Sequence, residues 1–305
     1  MNISFINKPF GWILESIAGL VGGNFAASIF LFTLLINLIL IPLSIKSQKS
    51  SVQQTRIKPK LDELKKRYGD DKQRYNAEMQ KLYQEENVSM SGGCLPLILR
   101  LIFMMSIYWI ILSPLTYLMH IDKSVIAEAA EAVKALGTTA KSGSELAVID
   151  AVRNGTIDSP AIAKALESIN FEFFGINLTQ TPNFSFNIFN DFQTIWIMPI
   201  IAFGAQILSS LLSMAMQKKI NPDAPSMNSM LLMMPLISLF IGFSLPGGVT
   251  FYWACSSLIG GLIQTGIQFY YGPHKMLARE RIKELKKQSA FEEGQIKKLG
   301  STETE

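Results

Sequence analysis

The sequence predicts an all-α polytopic membrane protein. Five transmembrane helices surround a hydrophilic groove that is open to the cytoplasm, and a helical hairpin lies in the cytoplasm. Charged residues make up only 17% of the 305 residues, compared with roughly 25% in soluble domains. These charges lie mainly between five long apolar segments, each close to the roughly 20 residues that a membrane-spanning helix requires. Polar residues at similar depths in several of these segments predict the groove.

The boundaries of the apolar segments define the predicted elements. The transmembrane helices are 25–45, 95–112, 195–216, 227–243 and 249–271. Between them lie a cytoplasmic helical hairpin (46–93), an external segment with short helices (113–194), a cytoplasmic loop (217–226) and a tight external turn (244–248). An external N-terminus with an interfacial helix (1–24) precedes them, and a basic cytoplasmic tail (272–305) follows. The external turn is SLPGG, and Pro followed by two Gly residues favours a tight turn.

The distribution of Lys and Arg predicts the orientation, because these residues are concentrated in cytoplasmic loops. The segments 46–93, 217–226 and 272–305 contain 21 of the 28 basic residues. The segment 121–192 contains five basic residues against nine acidic ones. We therefore expect the N-terminus to lie outside and the C-terminus to lie in the cytoplasm, as an odd number of spans requires.

The segment 46–93 has the pattern of two helices joined by a turn at Gly69–Asp71. Apolar residues recur at helical spacing on both sides of the turn: Ile57, Leu61, Leu64 and Tyr68 before it, and Tyr75, Met79, Leu82 and Tyr83 after it. This apolar stripe is thin, and the other residues are mostly charged. Two interpretations stay open: a solvated, mobile helix pair, or an arm that docks a cytoplasmic partner.

Two external regions have amphipathic patterns. Phe10, Trp12 and Ile17 near the N-terminus are typical of a short helix lying in the membrane interface. In the external segment, one short helix is predicted to begin at Pro160 after a cap at Ser159 or Asp158. The following stretch, FEFFGINLTQTPNFSFNIFNDF, is rich in Phe and Asn, which suits a chain lying along the interface.

Polar residues recur inside the apolar segments, where a charge is expensive and therefore rare. Arg100 is the only formal charge in the five segments. The candidate groove residues are Arg100, Asn37, Gln206, Trp253, Ser257 and Gln264. The last three share one face of a helix, at spacings of four and seven residues. The alternatives are that Arg100 reaches the cytoplasmic headgroups, and that the others form hydrogen bonds between helices.

No pattern in the sequence predicts catalysis or a bound cofactor. The two Cys and two His residues are far apart, so their spacing predicts neither a disulfide framework nor a metal site. The apolar segments contain no paired carboxylates and no nucleophile–base pair. We therefore expect a protein that is not an enzyme, without catalytic residues, metal or cofactor. Sequence-specific binding of nucleic acid is not expected either.

Several motifs together resemble the YidC/Oxa/Alb family of membrane protein insertases, in the five-span form of Gram-positive bacteria. They are FGWILESI, LINLILIPLSIKSQKS, MSGGCLPLILRLI, SPLTYL and MMPLISLFIGFSLPGGVTFYW, followed by the basic tail. The resemblance covers the whole chain except roughly residues 121–170. It implies a multi-pass protein of the bacterial plasma membrane, whose groove is open to the cytoplasm and to lipid and closed on the outside.

The resemblance also implies a function. Such proteins are not enzymes and use no ATP. A client's polar segment enters the groove transiently while its apolar helix moves into the bilayer, with or without the Sec translocon. The implied partners are nascent membrane proteins and the lipid bilayer, and also the ribosome and the signal recognition system through 46–93 and 272–305.

Two positions depart from the family pattern. The family usually has its positive groove residue in the first span, where this chain has Asn37. In the second span it usually has glutamine, where this chain has Arg100. Our hypothesis is that the groove charge lies on a neighbouring helix at similar depth. The field at the centre of a groove depends on the charge being inside it, not on which helix supplies it.

An alternative class is a small-solute or anion transporter or channel with Arg100 on its pathway. Such proteins are typically built from internal repeats with a binding site at broken helices. No internal repeat is visible in this sequence, five spans do not divide into two equal halves, and no pair of broken helices is expected. A folding factor working beside the translocon is a third interpretation, since it would use the same groove.

Overall fold

The described part of the chain is mostly helical. The computed structural model describes residues 4–89, 95–136, 144–182, 192–220 and 228–272 and parts of 275–293, except for a few side chains within these ranges. The helices are α1 (Ser4–Leu20), α2 (Phe25–Ile39), α3 (Ile41–Tyr68), α4 (Lys72–Glu85), α5 (Leu95–Leu112), α6 (Pro114–Tyr117), α7 (Lys123–Ala135), α8 (Glu145–Arg153), α9 (Pro160–Leu166), α10 (Ile197–Ile220), α11 (Asn228–Gly242) and α12 (Gly247–Tyr270). A 3₁₀ turn, Thr194–Trp196, precedes α10, and β1 (Glu172–Phe173) pairs with β2 (Ile176–Asn177).

Polar caps define where several helices begin, because the first amide groups of a helix have no partner within it. Asn24 caps α2 and Asp71 caps α4, each accepting a hydrogen bond from the backbone N–H three residues later, at 2.9 and 3.0 Å. Helix α9 begins at Pro160 with Ser159 in the cap position. This confirms the predicted start. Proline is tolerated at the first position of a helix because the N–H that it lacks would have no partner there.

The chain forms two compact units, of which the first comprises Met1–Ile41, Leu97–Ala215 and Pro225–Ile263. A single large apolar core in this unit joins α1, α2, α5, α10 and α12 to the external segment. Its fully buried side chains include Leu14, Phe25, Ile29, Ile107, Ile110, Ile149 and Phe171. The external segment is therefore part of the folded core rather than a loose connection.

Burial in the first unit ends part-way along three apolar helices. In α2 the buried residues all lie between Phe25 and Ile36. In α10 the last buried residue among those described is Ala205, and in α5 the first is Ser106. The half of each helix nearest the external segment is therefore packed, whereas the other half is only partly covered by protein.

The N-terminal helix α1 packs on this core along one side only. Leu14 is fully buried, whereas Trp12 is 66% exposed. The ring of Phe10 lies 6.0 Å from that of Phe32 and 5.2 Å from that of Phe103, between centroids. The helix predicted near the N-terminus is thus confirmed, and its position in the membrane interface stays a prediction.

The predicted first span, 25–45, is interrupted at Leu40. Helix α2 ends at Ile39 and α3 begins at Ile41. Pro42 explains the break, because a proline lacks the N–H that would continue the helical hydrogen bonds. Leu40 closes α2 by donating its N–H to the carbonyl of Ile36. The apolar residues 41–45 therefore belong to a helix that continues into the hairpin.

Among the described residues, one helix is long and apolar enough to cross a membrane, Thr194–Met216. The pair α2 and α3 provides a second if the two together form one span. Leu101–Leu112 and Met233–Gly242 are apolar but shorter. The arrangement of five transmembrane helices therefore stays a prediction.

The strand pair is a feature that the all-α prediction does not include. Phe174 and Gly175 form its turn with φ of 49° and 77°, as a two-residue hairpin turn requires. The ring of Phe173 packs on that of Phe251, 4.8 Å between centroids. This part of the Phe-rich stretch therefore folds onto α12, and residues 183–191 lie outside the described residues.

The second unit comprises Pro42–Pro96, Met216–Ala224 and Gln264–Glu305, and contains the helical hairpin of α3 and α4. Arg56 and Lys60 of α3 both pair with Glu86, which follows α4. The hydrogen bond from Lys60 lowers the pKa of the Glu86 carboxyl below its usual range. Of the predicted apolar stripe, Ile57 of α3 is buried and the other members are half-buried, while no residue of α4 is buried. Docking of a partner stays a prediction.

A half-buried carboxylate joins α8 to α6 within the external segment. Glu145, the first residue of α8, accepts hydrogen bonds from the backbone N–H and the hydroxyl of Thr116, at 3.0 and 2.5 Å. Burial raises the pKa of the Glu145 carboxyl above its usual range, and the hydrogen bonds from Thr116 oppose this only in part. The ionised form of Glu145 is therefore disfavoured by folding.

We expect the Glu145→Gln variant to change how stability depends on pH. Because folding raises the pKa of Glu145, its contribution to stability is fully present below the unfolded pKa and is lost as pH rises through the folded pKa. Glutamine keeps an acceptor for Thr116 and does not titrate. The variant should match the parent in acid and exceed it in free energy of unfolding at neutral pH.

Thermal unfolding of the detergent-solubilised chain, followed from acid to neutral pH, measures this difference. Glu128→Gln is the matched control, because Glu128 is exposed on α7 and its removal should leave the pH profile of the parent unchanged. Equal stability of Glu145→Gln and the parent at neutral pH would contradict the conclusion that folding disfavours the ionised form of Glu145.

Candidate functional site

Two candidate groove residues of the first unit, Asn37 and Gln206, lie where burial ends along their helices. Asn37 directly follows Ile36, the last buried residue of α2. Gln206 directly follows Ala205, the last buried described residue of α10. Both polar side chains are half-buried. Each therefore lies at the border between the packed half of its helix and the half that is only partly covered.

Asn37 bonds to the backbone of its own helix. Its Nδ2 donates to the carbonyl of Thr33 at 2.8 Å, and the hydroxyl of Thr33 donates to the carbonyl of Ile29 at 2.6 Å. Such bonds to carbonyls four residues earlier let polar side chains occupy a helix in apolar surroundings. They explain how α2 accommodates an amide at this depth.

Gln206 connects α10 to α11. The hydroxyl of Ser238 lies 2.6 Å from Gln206 Oε1 and 2.8 Å from the carbonyl oxygen of Pro235, and can donate to either. The contact with Gln206 is the interhelical hydrogen bond considered above as the alternative role. It fixes the position of the amide, and a role in a groove stays a prediction.

We expect Ser238→Ala to lower the free energy of unfolding by about 0.6 kcal/mol, the average for interhelical hydrogen bonds in a membrane. The double variant Gln206→Leu/Ser238→Ala should lose less free energy of unfolding than the two single variants lose in sum, because each single change removes the same hydrogen bond. Unfolding in mixed micelles measures all three variants, with Ser210→Ala, half-buried on α10, as control. Strict additivity would show that the bond contributes nothing.

Helix α12 places Trp253 and Ser257 one turn apart. The half-buried Trp253 packs on a small cluster formed by Ala202, Ala205 and Ala254. Further along, a Cβ atom at Gly261 would overlap Ser209 Oγ of α10, so these two helices approach closely. Gln206 and Trp253 are therefore on neighbouring helices, at a level where those helices are packed together.

Two predicted groove residues are placed differently. Arg100 belongs to α5, but its side chain lies outside the described part of the structure. Gln264 belongs to the second unit, where its Nε2 donates to Oε1 of Gln48 at 3.2 Å. The structure thus brings Gln206 and Trp253 onto adjacent helices, and the relation of Arg100 and Gln264 to them stays a prediction.

The described polar side chains of this region are amides, hydroxyls and an indole. The five apolar segments contain no acidic residue. In the described ranges, no group of three or more His, Cys, Asp or Glu residues could hold a metal ion. Amide, hydroxyl and indole groups can exchange hydrogen bonds with water or with a polypeptide. Hydrogen bonding is therefore the chemistry that these described groups offer.

Sequence reasoning missed Thr33 and Ser238, the partners of Asn37 and Gln206. For Ser238 the signal is a hydroxyl residue inside an apolar helix, whereas Thr33 contributes its backbone carbonyl, which any residue at that position would supply. Thr33 lies one turn before Asn37, and helical spacing alone predicts their contact. Pairing Ser238 with Gln206 also requires knowing that α10 and α11 are adjacent, which spacing does not provide.

These features define a mostly helical protein whose apolar helices contain polar side chains part-way along their length. In membrane proteins such side chains are rare and usually have a function. The model of the family described as 60Kd inner membrane protein matches residues 16–273. The chain therefore belongs to that family, the YidC/Oxa/Alb membrane protein insertases. This confirms the resemblance seen in the sequence motifs, and the family points to a non-catalytic protein of a bacterial inner membrane.

Individual relatives are similar over part of the chain. The membrane protein insertase YidC of Dechloromonas aromatica is 42% identical over 110 residues, 36% of this chain and 20% of the relative. That of Thioalkalivibrio sulfidiphilus is 39% identical over 110 residues, with the same two shares. That of Haemophilus influenzae is 43% identical over 106 residues, 34% of this chain and 19% of the relative. The chain thus spans about a fifth of the length of these relatives.

Proposed function

We propose that this chain is a membrane protein insertase and chaperone. It receives hydrophobic client segments in a polar intramembrane groove and releases them laterally into the bilayer, alone or with the Sec translocon. Membership of the insertase family supports the class of function. The observation that supports the groove is that Asn37 and Gln206 each directly follow the last buried described residue of their helices.

The proposed architecture has five transmembrane helices, an external N-terminus and a cytoplasmic C-terminus. The concentration of basic residues in 46–93, 217–226 and 272–305 supports this orientation. Packing of α2, α5 and α10 is tight only near the external segment, which suits a groove that is closed outside. The partly covered halves would then border the opening towards the cytoplasm.

The groove acts by replacing water around the client's polar part. An unpaired polar group in hydrocarbon costs several kcal/mol, and amides such as Asn37 and Gln206 offer hydrogen bonds at mid-depth. Burial of each large apolar side chain of the client contributes about 1.5–3 kcal/mol. Lateral movement of the apolar helix into lipid therefore needs no chemical energy source, and Arg100 would attract acidic groups of the client.

The proposed partners are nascent membrane proteins and lipid, with the ribosome and the signal recognition system contacting 46–93 and 272–305. The exposed, mixed-charge hairpin of α3 and α4 supports a docking role. Opposite charges on two such surfaces affect the rate of encounter and the choice of partner more strongly than they affect the affinity.

Reconstitution into liposomes tests the function. A single-span client synthesised beside liposomes that contain the full chain should become protease-protected, whereas liposomes without it should protect little client. The same liposomes should not conduct a small anion above background. Anion flux without client insertion would favour the transporter class and contradict the proposal.

A further inference from the structure

A cavity of about 1150 Å³ lies in the first unit on the side of the external segment. Its walls come from the end of α5, the start of α8, the chain around β2, the turn before α10 and the turn between α11 and α12. Small-molecule sites typically measure about 300–1,000 Å³. The cavity therefore has room for several residues of an extended chain.

Two carboxylates of α8, Glu145 and Asp150, face this cavity. Glu145 is held by Thr116, as described above. Asp150 Oδ1 accepts hydrogen bonds from the hydroxyl of Thr179 at 2.7 Å and from Nδ2 of Asn177 at 3.4 Å. Their neighbours thus fix both groups in place, and neither forms an ion pair with another described residue.

The remaining lining combines hydrogen-bonding groups with an aromatic wall. Tyr108 and Trp109 at the end of α5 line the cavity with their rings edge to face, 5.7 Å between centroids. Aliphatic side chains, including Leu112, Ile176 and Leu245, also line the cavity. Side-chain amides and hydroxyls lie among them, namely Asn177, Gln180, Gln193, Ser113, Thr181 and Thr194. Aromatic faces attract cations, and amides can bond to the peptide groups of an extended chain.

We propose that this outer cavity binds an extended, lysine- or arginine-containing polypeptide segment on the external side of the membrane. The carboxylate of Asp150 and the aromatic wall recognise its cationic side chains, and a cation beside Glu145 favours the ionised form that burial alone disfavours. The amides of the lining recognise its backbone. A small amine would fill only a fraction of the volume. The site is separate from the proposed groove, because its residues lie at the packed end of the bundle, and it does not depend on the insertase function.

Binding of a defined probe to the full chain in nanodiscs of neutral phosphatidylcholine tests the proposal. The probe is a fluorescent octapeptide of alternating lysine and serine, and the same peptide with glutamate in place of lysine is its counterpart. The lysine peptide should bind with an affinity that falls as salt is added, and the glutamate peptide should not bind. Equal binding of both peptides would overturn the proposal.

Glu145→Gln and Asp150→Asn should each weaken binding of the lysine peptide about fivefold, as expected for loss of a half-buried ion pair. Both keep hydrogen-bond acceptors for their threonine partners. Glu128→Gln removes one external charge away from the cavity and should bind like the parent. Trp109→Leu, which leaves both carboxylates in place, should weaken binding about threefold, through loss of cation–π attraction.

Three results would overturn the inference. In the first, the carboxylate variants that fold, as judged by cooperative thermal unfolding, bind the peptide like the parent; if one fails to fold, Trp109→Leu decides. Ethylammonium that displaces the peptide at equal concentration would identify a small-cation site instead. Displacement by vesicles with a cationic lipid, but not by unlabelled peptide, would identify a lipid surface.

Discussion

The Arg100→Ala variant is expected to insert clients at least about tenfold more slowly than the parent. A tenfold effect corresponds to about 1.4 kcal/mol. Two unit charges 4 Å apart interact by about 4 kcal/mol at the effective dielectric constant near a protein surface. Loss of the only formal charge in the five apolar segments is therefore large enough to slow insertion tenfold. Complementation of an insertase-depleted strain, with the variant's membrane level held equal, measures the effect.

Two further variants separate the charge from its position. Arg100→Lys keeps a cation and should retain most insertion. Asn37→Arg combined with Arg100→Gln moves the charge to α2 and restores the usual pattern of the family, so it should also complement. Failure of this double variant beside a functional parent would show that the charge has not simply been relocated. Normal insertion by Arg100→Ala would show that no charge is needed.

The Gly23→Ala variant is expected to lower the free energy of unfolding by about 3 kcal/mol or more. Gly23 has φ of 77°, which L-residues adopt at a cost of about 1–2 kcal/mol. A Cβ atom there would also overlap the backbone carbonyl oxygen of Ser168. That overlap would disturb the hydrogen bonds that Asn170 exchanges with Gly23 and Phe25, at 2.8 and 3.0 Å.

Gly22→Ala is the matched control for this prediction. Gly22 also has positive φ, 65°, but a Cβ atom there would meet nothing within 4 Å. Both changes restrict the unfolded chain equally, so the difference between them isolates the overlap with Ser168. Thermal unfolding of both variants in detergent measures it, with about 1 kcal/mol expected for Gly22→Ala. Equal losses would show that the external segment does not pack against this turn.

Local patterns predicted the local structure. The turn at Gly69–Asp71, the start of α9 at Pro160 and the N-terminal helix all follow from neighbouring residues. Pro42 also offered a local signal, a missing N–H at the second position of α3, but the continuous apolar run 25–45 concealed the break at Leu40. Hydrophobicity alone does not distinguish one straight span from two helices in succession.

Features that depend on distant contacts could not be predicted. The turn of the strand pair is Phe-Gly rather than a common hairpin dipeptide, and its strands of two residues are too short to show alternation. The outer cavity joins residues from α5, α8 and the chain around β2. Glu145 and Asp150 had no visible role in the sequence, because their partners Thr116 and Thr179 lie 29 residues away.

Site-specific photocrosslinking tests the central claim of a client-receiving groove most directly. A photoreactive residue at position 37, 100 or 253 of the full chain is presented to a single-span client held on the ribosome. The account predicts client adducts from all three positions, since each would face the same groove. Lipid adducts alone from position 100, with none to the client from 37 and 253, would contradict it.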